Sequence, residues 1–132
     1  VTAGLNDLDI TWPRVIAENY GVTVHDASQQ GATCHSARQQ VTRLAGQGDA
    51  VILEIGGNDV LEYIPAEKFS QDLEQLLREV RTVYPTQPVV LCELPLPPLG
   101  HRYGYAQRHL AARYHIAMIP KRNFLRVLTM PQ

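Results

Sequence analysis

The 132-residue chain has little of the features that mark several specialised classes of protein. Its two cysteines, Cys34 and Cys92, are too few for a disulfide scaffold, and their spacing matches no zinc site. The five histidines are scattered along the chain, so we expect neither a metal cluster nor any other cofactor. No stretch approaches the roughly 18 consecutive apolar residues that a membrane-spanning helix needs.

An excess of charge of one sign is also missing, since 12 basic and 13 acidic residues give a formal net charge of -1. This balance provides neither a basic field for nucleic acid nor a polybasic patch for a membrane surface. Repeats, linkers and low-complexity tracts are absent, and the length suits a single domain over residues 1–132. With 45% hydrophobic residues the composition predicts a soluble globular protein, with its compartment open between bacterial periplasm and cytoplasm.

Helical and strand patterns alternate along the chain. Apolar residues recur every three or four positions in four predicted helices, at residues 11–20, 36–45, 65–84 and 101–114. Short apolar runs predict strands at residues 22–27, 50–55, 88–93 and 116–120, and a further strand-like element begins at Phe124. This alternation predicts an α/β fold of the three-layer α/β/α, flavodoxin-like type with a parallel sheet.

The most informative stretch is the buried strand at residues 50–55 with the turn that follows it, Gly56-Gly57-Asn58-Asp59. Two glycines allow a sharp turn at the carboxyl end of the strand, where open α/β sheets place their ligands. The Asn58 amide could there donate a hydrogen bond to a developing oxyanion. Alternatively, Asn58 and Asp59 only cap the next helix or tighten the turn. Taken alone, these residues favour the second interpretation.

Two loops together resemble a known family. The stretch HDASQQGAT at residues 25–33, followed some two dozen residues later by the turn at residues 56–59, resembles the second and third sequence blocks of the SGNH hydrolases, also called GDSL-like esterases and lipases. Residues 51–80, VILEIGGNDVLEYIPAEKFSQDLEQLLREV, are similar to the thioesterase I and arylesterase branch. Residues 87–127 follow the same branch, so the resemblance covers nearly the whole chain and implies the hydrolysis of acyl esters or thioesters.

The resemblance implies roles for two residues. Gly31 matches the family glycine whose backbone N–H points at the oxyanion, and Asn58 matches the asparagine that donates from its side chain. In the family these donors assist a nucleophilic serine in a Gly-Asp-Ser turn and a base in a C-terminal Asp-x-x-His block. Neither block occurs in this sequence. We therefore expect a domain truncated at both ends, with the nucleophile before Val1, the base after Gln132 and the first central strand missing.

Other residues of the chain are poor substitutes for the missing serine and base. Ser28 and His25 lie three apart on a predicted strand and so point to opposite faces. Cys34 and His35 are adjacent and diverge on any regular element, and a lone cysteine is usually inert packing. Asp59 is expected to support the turn or cap the helix, and is not the triad carboxylate.

Two functions therefore stay open. The chain is either the middle of an SGNH-type serine esterase or thioesterase, inactive as written, or a catalytically dead remnant or binding module. Its expected partner is a small-molecule acyl ester or thioester, with no nucleic acid and no metal. Apolar residues of the loops beside the crevice suit an aliphatic acyl chain, although packing of the loops explains them equally well: Leu61, Ile64, Leu96 and Leu99.

The expected loss of the first strand has a structural consequence. The strands that begin near Val22 and Ala50 normally flank it. Without it they pair directly, leave a gap or borrow a strand from another molecule, because exposed strand edges invite pairing. We therefore expect a homo-oligomer or an exchanged strand more often than in an intact relative.

Overall fold

The computed structural model describes residues 10–97 and 100–128, without the side chains of residues 127 and 128. Its helices are α1 (Trp12–Tyr20), α2 (Arg38–Leu44), α3 (Gly57–Leu61), α4 (Ala66–Val83), α5 (His101–Arg113) and α6 (Lys121–Leu128). Its strands are β1 (Val51–Leu53), β2 (Val89–Cys92) and β3 (Ala117–Ile119). None of the described helices combines the length and the apolar character needed to cross a membrane.

The three strands form one parallel sheet in the order β1-β2-β3. Leu91 in β2 pairs with Leu53 of β1 on one side and with Met118 of β3 on the other. Helices α3 and α4 connect β1 to β2, and α5 connects β2 to β3, as parallel strands require. This parallel sheet flanked by helices confirms the predicted α/β fold class. The carboxyl ends of all three strands lie at the same edge of the sheet.

One face of the sheet carries the core. Val51, Val89 and Leu91 are buried on this face, whereas Ile52 points to the opposite face and is 44% exposed. The buried strand residues share one cluster with the apolar stripe of α4 and with parts of α2 and α5. That stripe was predicted from its helical spacing, and its buried apolar members are Phe69, Leu73, Leu76, Leu77 and Val80.

The strand predicted at residues 22–27 is wrong. No described segment pairs with these residues, and Val22 and Val24 are 48% and 38% exposed. Alternating valines predict a strand only if a neighbour supplies hydrogen bonds, and the described part of the sheet offers none here. Within the described chain β1 and residues 22–27 do not pair, so of the three outcomes expected for this region direct pairing is wrong.

The strand-like run after Phe124 is also wrong as far as the structure describes it. Residues 121–128 form α6, and residues 129 and 130 lie outside the described part of the chain. Apolar residues 124, 125 and 128 are spaced to fall on one face of a helix, a pattern that a short apolar run conceals. Two smaller differences concern α2, which begins at Arg38 rather than Ser36, and α3, a short helix that the sequence left as a turn.

Candidate functional site

The turn after β1 sets the position of the site. Gly56 has a φ of +108°, and a Cβ atom built on it would lie 3.0 Å from Leu94 Cδ1 and 3.0 Å from Phe69 Cε2. Both the left-handed backbone and the lack of space therefore require glycine at this position. The chain leaves this turn directly into α3, which places Asn58 in the first helical turn at the carboxyl edge of the sheet.

The Asn58 side chain reaches across to the loop that precedes α2. Its Nδ2 donates a hydrogen bond to the backbone carbonyl of Ala32 over 2.8 Å. A carboxamide carries two N–H donors, so this bond uses one and leaves the other for a further acceptor. No side-chain hydrogen bond caps the N terminus of α3, so Asn58 joins two loops rather than capping its own helix.

Gly31 lies next to this hydrogen bond. It has a φ of +77°, and a Cβ atom there would meet nothing within 4 Å, so the backbone conformation rather than crowding favours glycine. The Ala32 N–H closes the turn by donating to the Gln29 carbonyl over 3.2 Å. Among the residues that the structure describes, none accepts a hydrogen bond from the Gly31 N–H. The Asn58 side chain thus bonds to the residue that follows Gly31.

Asp59 is fully buried and faces the same loop. Its Oδ2 and Oδ1 accept a hydrogen bond from the Cys34 N–H over 3.0 and 3.3 Å. Burial raises the pKa of the Asp59 carboxyl above its usual range, and the hydrogen bond from Cys34 partly opposes this rise. Asp59 was predicted to support its own turn or cap α3, but its side chain also binds a loop 25 residues away in sequence.

A second buried carboxylate lies close to the same loop. Asp72 of α4 forms an ion pair with Lys68, one turn earlier in the helix. The Nδ1 atom of His35 lies 3.9 Å from Asp72 Oδ1, while most of the His35 side chain is exposed. The negative charge of Asp72 therefore already has a cation beside it, which limits the cost of its burial.

Two residue pairs were considered as substitutes for a serine and its base, Ser28 with His25 and Cys34 with His35. Within the described chain neither pair is joined by a hydrogen bond. Cys34 is fully buried, and this burial, together with the charge of Asp59, raises the pKa of its thiol. Within the described chain no hydrogen bond joins His35 to Cys34. Ser28 is exposed, and its N–H donates to Asp26 Oδ1 over 2.8 Å in a local turn.

The two thiols should differ in their reaction with the disulfide reagent DTNB. Burial, with Glu54 nearby, raises the pKa of Cys92 to about 11, so only about one molecule in a thousand carries its thiolate at pH 8. We expect Cys92 to react slowly in the folded protein and Cys34 to react only on unfolding. Cys92→Ser should remove the slow phase alone, and both thiols should react at once in guanidinium chloride. Rapid labelling of Cys34 in the folded protein would contradict its burial.

The loops predicted to contact an acyl chain have mixed surroundings. Leu61 is 74% exposed, whereas Ile64 and Leu96 are half-buried, and Ile64 packs against the core. Leu99 lies outside the described residues. The Tyr103 hydroxyl donates to the Ile64 carbonyl over 2.6 Å and so fixes the loop after α3 to α5.

Two cavities lie away from these loops. One of about 460 Å³ lies between α2 and α4, where its lining includes Arg38 and Glu79. The other, of about 490 Å³, lies between the end of α4 and the end of α5, where Arg81 and His115 line it. Neither of these two cavities is lined by Gly31 or Asn58.

Fold and site together define a parallel α/β protein in which an asparagine amide, in the turn after β1, bonds to the residue that follows a left-handed glycine. The family model described as GDSL-like lipase/acylhydrolase matches residues 1–126, and the chain belongs to this family. No curated protein matches the chain.

Solved structures of esterases share the fold. AlinE4, described as an SGNH-hydrolase family esterase, has a TM-score of 0.72 and 19% identity, over 89% of this chain and 68% of its own. The psychrotrophic esterase EstA from Pseudoalteromonas sp. has a TM-score of 0.72 and 19% identity, over 83% of this chain and 65% of its own. A variant of AlinE4 has a TM-score of 0.74 and 20% identity, over 98% of this chain and 77% of its own. The chain thus spans about two thirds to three quarters of the length of these structures.

Proposed function

We propose that this chain belongs to a serine esterase or thioesterase that hydrolyses small acyl esters or thioesters. The proposal rests on the position of Asn58, whose Nδ2 donates a hydrogen bond to the carbonyl of Ala32, the residue after Gly31. Among the described residues, none accepts a hydrogen bond from the Gly31 N–H. Two such donors on neighbouring loops suit the negative charge that develops on a carbonyl oxygen during acyl transfer.

In the proposed reaction the two donors bind the oxyanion and other groups do the covalent chemistry. A serine oxygen attacks the carbonyl carbon, its proton passes to a base, and the carbonyl oxygen becomes the oxyanion held by Gly31 and Asn58. The bond to the leaving alcohol or thiol then breaks as that group takes the proton, and water releases the acid from the acyl-enzyme. The serine and base blocks of the family are not among the 132 residues, so we assign only the oxyanion donors here.

Octanoate, an aliphatic carboxylate that models the acid product, tests the site without requiring turnover. We expect titration to move the NMR signals of the Gly31 amide and the Asn58 side-chain amide together, because one carboxylate oxygen should accept from both. Asn58→Ala should abolish the response at Gly31. Asn19→Ala, which removes an exposed carboxamide on α1, is the matched control and should leave it unchanged. Titration that moves neither signal in the unaltered protein would refute the proposed site.

A p-nitrophenyl ester assay tests the assignment of the nucleophile. We expect no turnover by the 132-residue chain above background, because oxyanion donors alone leave only a small residual effect. Hydrolysis that a serine-directed fluorophosphonate abolishes would show that a serine of this chain, such as Ser28, is the nucleophile. An in-frame Gly-Asp-Ser upstream and Asp-x-x-His downstream in the nucleotide sequence would favour the esterase, and their absence a catalytically dead binding module.

We also propose that a second copy of the chain pairs with the outer edge of β1. The Val51 N–H bonds to β2, so in a parallel ladder the backbone groups of Ile52 point away from β2. Within the described residues that edge has no partner, and an uncharged apolar edge invites pairing. We expect light scattering to give a dimer that Ile52→Lys shifts towards monomer, while Val15→Lys on α1 does not. A monodisperse monomer of the unaltered chain would contradict this proposal.

A further inference from the structure

Two consecutive side chains of α3 bind the backbone of one loop in opposite senses. Asn58 donates to the carbonyl of Ala32, and Asp59 accepts from the N–H of Cys34. The two backbone groups lie one and three residues after Gly31 in the sequence. Together these bonds hold the loop against α3, since α3 supplies one donor and one acceptor to the loop backbone. A neighbouring β-strand offers a backbone the same two kinds of partner.

The remaining hydrogen bonds of this loop are local. Thr33 donates its N–H to Ser36 Oγ over 2.9 Å, and Ala37 donates its N–H to the Thr33 carbonyl over 2.9 Å. These bonds shape the entry into α2 but do not reach α3. Of the hydrogen bonds seen in the described chain, only those of Asn58 and Asp59 join this loop to α3.

Asp59 has no cation to explain its burial. Lys68 pairs with the neighbouring Asp72, and in the described residues no lysine, arginine or histidine pairs with Asp59. A buried carboxylate is costly unless hydrogen bonds compensate, and the bond from Cys34 offsets part of that cost. The Asp59 side chain therefore binds the loop rather than a cation, and so helps to fix the position of the loop.

We propose that Asp59 is a positioning residue that fixes the separation between the Gly31 N–H and the Asn58 carboxamide. Asp59 and Asn58 are neighbours on one helix, and Cys34 and Gly31 belong to one short loop. Releasing Cys34 therefore lets Gly31 move relative to Asn58, which misaligns two donors that must reach a single oxygen atom. The inference rests on the proposed function and adds the residue that keeps its two donors in register.

Two substitutions at residue 59 separate positioning from a general loss of structure. Asp59→Ala removes the acceptor, and we expect octanoate to bind about tenfold more weakly while the Gly31 and Asn58 signals shift. Asp59→Asn keeps an oxygen that can accept from Cys34, so binding should stay within about threefold of the unaltered protein. Asp26→Ala is the control, because this exposed carboxylate also accepts a loop N–H but does not contact α3.

The results distinguish failure of this inference from failure of the proposed function. If octanoate does not bind the unaltered protein, the proposed function fails. The NMR signals of the Gly31 amide and the Asn58 side chain in the Asp59 variants then decide by themselves whether Asp59 positions these two groups. Asp59→Ala with unmoved Gly31 and Asn58 signals would overturn the inference. If Asp59→Ala does not fold, Asp59→Ser decides, because its shorter side chain should lose the bond to Cys34: we expect the Cys34, Gly31 and Asn58 signals to shift together, and a change confined to Cys34 would overturn the inference.

Discussion

Gly56→Ala should lower the free energy of unfolding by about 2 to 6 kcal/mol, because two costs of roughly 1 to 3 kcal/mol each combine. The first is backbone strain, since φ is +108° at this position. The second is crowding, since the new methyl group would lie 3.0 Å from side-chain carbons of Leu94 and Phe69. Urea denaturation followed by circular dichroism measures the difference.

The neighbouring glycine provides a matched control. Gly57 is the first residue of α3, has no positive φ, and a Cβ atom built on it would meet no atom within 4 Å. Gly57→Ala should therefore stabilise the protein by less than about 1 kcal/mol, because alanine restricts the unfolded chain. Equal effects at the two glycines would show that the geometry of Gly56 is not what the turn requires.

Regular periodicity is what made much of this fold predictable. Helix α4 was expected at residues 65–84 and lies at Ala66–Val83, because six apolar residues of one stripe and two flanking prolines define it without help from the rest of the chain. Strand β2 was expected at residues 88–93 and lies at Val89–Cys92 for a similar reason, a continuous apolar run after a proline. Local sequence determines such elements because each meets its own burial requirement.

The elements that were predicted wrongly depend on partners. Residues 22–27 alternate as a strand does, but a strand forms only beside another strand, and in the described sheet none is available to them. Helix α6 was mistaken for a strand-like run because its apolar residues are close together in sequence and its helical spacing spans barely two turns. In both cases the missing information lies in the neighbours rather than in the segment.

The site was predictable only as far as its sequence motif extends. Gly31 and Asn58 were named from a resemblance, and in the structure the Asn58 side chain bonds to Ala32, the residue after Gly31. The bond from Cys34 to Asp59 was missed, because a side chain that accepts from a backbone N–H 25 residues away leaves no pattern in the sequence. A backbone partner can have any side chain, so only the folded chain identifies it.

These observations connect the core to the site. Phe69 of α4 limits the space at Gly56, Gly56 turns the chain into α3, and α3 holds the Gly31 loop through Asn58. The Phe69 ring also packs against Tyr103 with a centroid distance of 5.1 Å and a tilt of 59°. Tyr103 in turn binds the loop after α3. A change at Phe69 should therefore affect both stability and the site.

Phe69→Ala should lower the free energy of unfolding by about 3 to 5 kcal/mol, the usual cost of removing a fully buried phenylalanine. This is a large share of the 5 to 15 kcal/mol that stabilises a typical domain, so a substantial unfolded fraction is expected on warming. Tyr20→Ala, at a ring that is 76% exposed, is the control and should change stability by less than about 0.5 kcal/mol.

Phe69→Leu separates the effect on the site from the effect on stability, because it keeps most of the buried volume but loses the aromatic contact with Tyr103. We expect it to cost about 1 to 2 kcal/mol and to shift the Asn58 side-chain signal, since the wall beside Gly56 changes shape. Urea denaturation gives the first quantity and NMR the second. A loss below about 1 kcal/mol for Phe69→Ala would mean that the ring is not part of a packed core, and the connection from α4 to the site would have to be abandoned.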